Sequence, residues 1–176
     1  MGKHIMDAAN RMPDSKTQNT DENGYVLRPI ELSDCHFLFD LRNEKTARIN
    51  SLDTRPLVFE DHERWLQRSI EMKSRSIFVF EVENKKAGMA RADKLPISPI
   101  VYECSWNVAT DFRGQGLSVP MLMMLIKRLQ SDVVARIKDE NSISQSVAQK
   151  AGFSYITSQD GVGLWMRASQ TLTSEN

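Results

Sequence analysis

The sequence predicts an α/β fold of the α+β sandwich type, one sheet layered between helices. Three observations predict it. Strand-like and helix-like segments follow one another in mixed order across residues 25–168. A strand, a glycine-rich turn and a methionine- and leucine-rich helix stand in sequence at the centre of that region. A helix ending in glycine and a hairpin around Asp160-Gly161 close it. With 176 residues the chain is long enough for one domain with a real core.

The elements read in order as follows. Residues 25–29 form a short strand. Ser33 caps a helix with Phe37, Leu38 and Leu41 on one face. A second helix begins near Phe59 and sets His62, Trp65, Leu66 and Ser69 at helical spacing. Residues 76–83 are a strand, Asn84-Lys85-Lys86 a turn, and 87–93 its hairpin partner. A proline-punctuated loop over 95–99 leads to a strand at 100–108. The glycine turn follows, then a helix to about Gln130, packed by Met121, Met123 and Met124. Residues 133–137 are a buried strand, and Asn141 caps a helix that ends at Gly152. Strands at 153–158 and 163–168 complete the sheet.

Composition excludes several classes of function. Lys and Arg equal Asp and Glu at 23 each, so there is no basic field for nucleic acid. Cys35 and Cys104 have neither zinc-ligand spacing nor the density of a disulfide framework, and no metal is expected. No apolar run approaches the roughly 20 residues that span a bilayer, and the N-terminus lacks a secretion signal's apolar core. A cytoplasmic setting with no membrane partner is the expectation. Residues 1–24 hold no Leu, Val, Phe or Trp and read as a flexible tail, with 169–176 a second one.

The run Arg113-Gly114-Gln115-Gly116-Leu117-Ser118 is the feature most suggestive of chemistry. Glycines let backbone approach a phosphate, and the first N–H groups of a helix have no internal partner. A tight connection is the alternative reading of the hexamer alone. A dinucleotide fingerprint would need glycine where Val119 stands, and no Gly-Lys-Ser/Thr of a Walker loop occurs. The preceding strand alternates Val101, Glu103, Ser105 and Asn107 on one face with Tyr102, Cys104, Trp106 and Val108 on the other.

These residues together resemble the GNAT superfamily of acetyl-CoA-dependent N-acetyltransferases. The family's Arg/Gln-x-x-Gly-x-Gly/Ala turn is matched by Arg113, Gly116 and Ser118. The segment 102–112 is similar to its fourth strand and turn. Asn141, Ser144 and Lys150-Ala151-Gly152-Phe153 resemble its downstream helix and exit. The resemblance implies a mainly antiparallel twisted sheet flanked by helices. It implies acetyl-CoA as donor and coenzyme A as product, with Val108, Arg113, Gly114, Gln115, Gly116, Leu117, Ser118, Asn141 and Ser144 holding it. Upstream, Leu41-Arg42-Asn43, Arg48, Ser51, Glu60, His62 and Trp65-Leu66 are similar to a branch with sugar-nucleotide N-acetyltransferases. A homodimer paired across a sheet edge is a candidate assembly.

Two departures stand out. Ser118 replaces the motif's last Gly/Ala, and Pro120 pushes Val119 away from helical geometry, with Ser118 as the cap. Ala148 stands where many relatives carry a tyrosine that protonates the leaving thiolate, so water or another residue must do so.

Acetyl transfer to an amine needs a neutral amine, donors for the developing oxyanion and a way to discharge the thiolate. Glu103 is the candidate base, through a water or strengthened by burial; pairing with a basic side chain is its alternative. Backbone N–H groups near Val108 are the candidate oxyanion donors. Arg48, Asn50, His62, Trp65 and Ser105 are candidate substrate residues. His62 and Trp65 can equally be packing residues, and Asn141 is a helix cap first. Cys104 is a core residue before it is a nucleophile. The expected function is direct acetyl transfer to the primary amine of a small molecule, such as a nucleotide-linked amino sugar. The alternatives are a protein or peptide N-acetyltransferase, or a non-catalytic acyl-CoA-binding module.

Overall fold

The computed structural model describes residues 19–169, so the rest of both expected tails lies outside the described residues. The boundary at 24 needs correction. Asn19–Thr20 (β1) pairs antiparallel with Val26–Pro29 (β2) around a turn in which the Asp21 carboxylate accepts from the N–H groups of Asn23 and Tyr25. The polar residues that read as unable to bury apolar surface serve here as turn and edge.

After β2 a short 3-10 turn, Leu32–Asp34, enters Cys35–Asn43 (α1). Ser33 does not cap it; its hydroxyl turns to Glu31, while Asp34 accepts from the Glu31 N–H at 2.8 Å. Asp34 is fully buried, forked by Arg28 at 2.8 Å and met by Lys86 at 2.7 Å. A further helix, Lys45–Asn50 (α2), falls in a stretch where no helix is expected from the sequence. Glu44 breaks it from α1 with φ −52° and ψ 137°. Phe59–Glu71 (α3) follows.

Arg75–Val82 (β3) and Lys85–Lys94 (β4) form a hairpin. Its turn is Glu83-Asn84, both with positive φ, and Lys85 already pairs with Val82, two residues earlier than expected. Ala87 is the extra residue of a bulge, and its carbonyl accepts from Ala109 N–H at 2.8 Å. Beside it, a Cβ on Gly88 would sit 2.6 Å from the Asn107 carbonyl oxygen. Glycine thus lets β4 approach Val101–Val108 (β5).

A 3-10 turn at Thr110–Phe112 and the glycine loop lead into Ser118–Leu129 (α4). Then come Asp132–Lys138 (β6), Ser142–Lys150 (α5), Ser154–Gln159 (β7) and Val162–Arg167 (β8). The sheet order is β1-β2-β3-β4-β5-β6-β8-β7. Every neighbour pair is antiparallel except β5 with β6.

Two apolar layers flank the sheet. On one face Met121, Leu122 and Leu125 of α4 bury against Phe78, Ala90 and Cys104, with Ala148 of α5 in the same core. Met123, expected in that layer, is 38% exposed. On the other face Leu38 of α1 and Leu66 of α3 close over Met89. The alternation read along β5 is realised: Tyr102, Cys104 and Val108 enter the α4 layer, and Glu103, Ser105 and Asn107 face α1.

Candidate active site

The parallel pairing of β5 with β6 is short. It joins Val101, Tyr102 and Glu103 to Asp132, Val133 and Val134, whereas β6 runs on to Lys138 against β8. From Cys104 onward the edge of β5 leaves its neighbour, and a gap opens in the middle of the sheet. The Ala109 N–H points toward β4, so by the two-residue period that of Val108 points into the gap.

The glycine loop stands at the wide end of this gap. Gly114 and Gly116 both adopt φ +76°, a left-handed conformation that glycine adopts without strain. Open space surrounds the Cβ position of each, so backbone conformation and not crowding requires them. Leu117, 5% exposed, anchors the loop, and residues 114–116 are exposed. Among the described residues, the N–H groups of Gly114 to Val119 meet no acceptor; the first bond of the helix runs from Met121 N–H to the Leu117 carbonyl. Successive free N–H groups at a helix start form an anion-binding concavity.

Two expectations about this rim change. Ser118 is the first helical residue and not the cap, and Val119 is helical despite the proline behind it. Pro120 is tolerated because a first-turn N–H has no partner to lose. Arg113 is a brace. Its Nε donates to the Val108 carbonyl at 2.9 Å, one Nη to Thr110 Oγ1 at 3.0 Å, and the other to Glu44. Glu44 also accepts from the Thr110 N–H, so the α1–α2 junction is tied to the loop.

On the α1 side of the gap, Glu103 is half-buried and paired with Arg136 Nε at 2.8 Å. This is the alternative reading of that carboxylate, realised across the gap. Ser105 sits beside Glu103 on the same face and is opposite Arg91 on β4. The Asn107 amide donates to the Leu41 carbonyl at 3.0 Å and fixes the end of α1. Arg48 and Asn50 lie on α2, and Lys138 of β6 donates to the Ile49 carbonyl at 2.7 Å, strapping α2 over the opening.

Other candidates fall elsewhere. His62 is 4% exposed between α1 and α3, with its ring 5.2 Å from Trp65 and 5.7 Å from Phe39. Burial pulls its pKa down, while a bond to the Cys35 backbone opposes the shift. His62 is therefore a packing residue, and the helical stripe it belongs to faces α1. Half-buried Trp65 packs in the same cluster, with the Arg75 guanidinium over its ring. Cys104 is 3% exposed and its thiol is pushed up to about 12 by burial, then by Glu103 and Asp93, so no thiolate forms near neutrality. Asn141 caps α5 as expected, accepting from the Ser144 N–H at 3.1 Å. Ala148 is fully buried, so its position faces the core.

Sequence reasoning missed Glu44, Arg91, Asp93, Arg136 and Lys138. A signal existed for two: Ala90-Arg91-Ala92-Asp93 alternates small and charged residues along a central strand. In the sequence Asn43 stands out only as part of the Leu41-Arg42-Asn43 motif. Its side chain pairs with both backbone groups of Leu57 and Arg42 reaches the Asp53 carbonyl, fixing the loop over 51–58.

The model of the acetyltransferase (GNAT) domain matches residues 25–154. No curated protein matches the chain. Among solved structures, spermidine N-acetyltransferase from Vibrio cholerae, in complex with CoA and spermine, is similar at 15% identity and TM-score 0.75, over 82% of this chain and 95% of that one. A ribosomal-protein-alanine N-acetyltransferase from Brucella melitensis has 20% identity and TM-score 0.66, over 81% and 98%. An aminoglycoside acetyltransferase in complex with coenzyme A and kanamycin has 15% identity and TM-score 0.71, over 82% and 94%. These likenesses are of fold. Their acceptors differ from one to the next.

Proposed function

The chain belongs to the GNAT acetyltransferases, an acetyl-CoA-dependent N-acetyltransferase by family, and from that premise we propose that it transfers acetyl directly to the primary amine of a small acceptor lying on the α1–α2 side of the sheet. The observation that carries this reading is the gap beyond Glu103 opening beside a loop of unpartnered N–H groups. An extended acyl donor has room to thread the gap with its phosphates at the loop.

Each residue then has a role. The N–H groups of Gly114 to Ser118 hold the pyrophosphate, with Gln115 and Leu117 shaping the loop and Arg113 bracing it from behind. Asn141 and Ser144, at the start of α5, are the residues that would hold the pantetheine arm. Acetyl-CoA supplies an acetyl group activated on sulfur. Glu103 takes the ammonium proton through a water, so that the amine attacks neutral. The N–H of Val108 meets the carbonyl oxygen as it gains charge. The C–N bond forms, the C–S bond breaks, and the second proton, shed by the acylated nitrogen, passes through water to the thiolate, since Ala148 provides no acid. Arg136 holds the Glu103 carboxylate in place, and Ser105 is positioned beside it to orient the amine. The setting is cytoplasmic, and a nucleotide-linked amino sugar is the acceptor to which the motif residues Arg42 and Arg48 point.

The test is free-thiol release from acetyl-CoA across sugar-nucleotide amines, polyamines, aminoglycosides and peptides. Turnover on a small amine is expected. Turnover confined to peptide N-termini would replace this reading with protein acetylation, and tight binding without turnover would leave an acyl-CoA-binding module. For Glu103→Gln, kcat should fall about 10²- to 10⁴-fold with coenzyme A affinity unchanged; unaltered turnover removes Glu103 from the mechanism.

A further inference from the structure

The acceptor face holds more cation than its carboxylates neutralise. Asp93 is shared between Arg75 at 2.5 Å and Arg91 at 2.9 Å, and Glu103 is taken by Arg136. Arg42 has a backbone carbonyl, that of Asp53, while the Asp53 carboxylate itself turns to Arg55 at 2.6 Å. Arg42 Nη1 and Arg48 Nε are buried and meet no hydrogen-bond partner among the described residues. Arg91 Nε, although near Asp93, is likewise outside hydrogen-bonding geometry. Native proteins rarely leave buried guanidinium nitrogens without an acceptor.

These groups converge. Arg91 stands opposite Ser105 in the β4–β5 register, on the face shared with Glu103. Arg42 precedes the α1–α2 break and Arg48 lies on α2, the helix strapped over the gap by Lys138. Arg42 feels the other two: burial lowers its pKa, Asp53 opposes the shift, and the like charges of Arg48 and Arg91 add to it. Such a concentration of half-buried positive charge repels a polycation and is suited to forked recognition of phosphate or carboxylate.

We infer that the acceptor pocket recognises an anionic group, phosphate or carboxylate, carried by the amine substrate and bound by Arg42, Arg48 and Arg91. The inference rests on the reading of this face as the acceptor side. It sets the protein apart in chemistry from a relative whose structure holds spermine.

The test uses the full chain saturated with coenzyme A, so that the cofactor's own phosphates are already placed. Binding is measured by calorimetry for two matched pairs, cadaverine against lysine and glucosamine against glucosamine 6-phosphate, with spermidine as the polycation. The anionic member of at least one pair should bind tighter by about tenfold or more, and which pair responds separates carboxylate from phosphate. Arg42→Gln and Arg91→Gln should erase the preference, and Arg91→Lys should restore part of it if the fold is intact. Equal binding, or no binding, by both members of both pairs overturns the inference, as does tighter binding of spermidine. Thiol release in the same mixtures separates the two readings. Anion-linked binding without release from any amine keeps the anion pocket and sinks the transfer, whereas release from uncharged-tail amines alone does the reverse.

Discussion

At the residue scale, what a side chain does here is set by whether its neighbours leave it free. Arg113 is the instructive case. Its place in the motif invites a phosphate contact, yet its guanidinium bonds inward, to Val108, Thr110 and Glu44. In the proposed phosphate site the donors are therefore backbone N–H groups, and the sensitive position is Gly116. At φ +76° a non-glycine residue is strained by about 1–2 kcal/mol. Since open space surrounds that position, Gly116→Glu should fold. Its carboxylate would face the phosphates, and coenzyme A affinity measured by calorimetry should fall by more than about tenfold, equivalent to ~1.4 kcal/mol. Unchanged affinity would move the phosphate site elsewhere. Glu103 and Arg136 illustrate the opposite limit, since the partner that decides each one's contact is 33 residues away.

At the scale of elements, α2 and α3 show how tertiary contacts override a local reading. A helix as short as α2 is unstable alone. It exists because Glu44 ties its start to Thr110 and Arg113, and Lys138 bonds the Ile49 carbonyl near its C-terminus, where a cation also suits the helix dipole. In α3 the periodicity was legible, but which stripe would be covered was not. His62 lies on the covered stripe, and its folded pKa lies below the 6.5 of the unfolded chain. Its neutral form is the one buried, so its contribution is present above pH 6.5 and lost as pH falls through the lowered folded value. The urea midpoint should drop between about pH 7 and pH 5, and His62→Phe should flatten that slope. A slope identical in the variant would mean that another group carries the acid sensitivity.

For the whole molecule, the buried knot of Asp34, Arg28 and Lys86 joins β2, the 3-10 turn before α1, and β4. Burial alone would raise the Asp34 pKa, but Arg28, Lys86 and the Glu31 N–H overcome it and bring the carboxyl from 3.8 to about 2. A depressed folded pKa means stability present above pH 3.8 and lost as pH falls toward 2, worth about 2.5 kcal/mol at ~1.4 kcal/mol per unit. Removing the charge is harsher, because it strands two cations. Asp34→Asn should cost about 3–5 kcal/mol in denaturant unfolding. A loss below about 1 kcal/mol would class the knot with surface ion pairs.

The sequence by itself determined the fold class, most of the elements and the glycine-rich turn into α4. Those features are local: alternation along β5, glycines where the backbone turns left-handed, and Asn141 accepting from an N–H within its own first helical turn. Tertiary structure alone decided the gap between β5 and β6, the covering of His62, the inward turn of Arg113 and the gathering of Arg42, Arg48 and Arg91. Each depends on residues distant in sequence meeting across strands or layers. Local propensity carries no information about such partners, because the free energy of those contacts exists only once the sheet and its two helical layers are assembled.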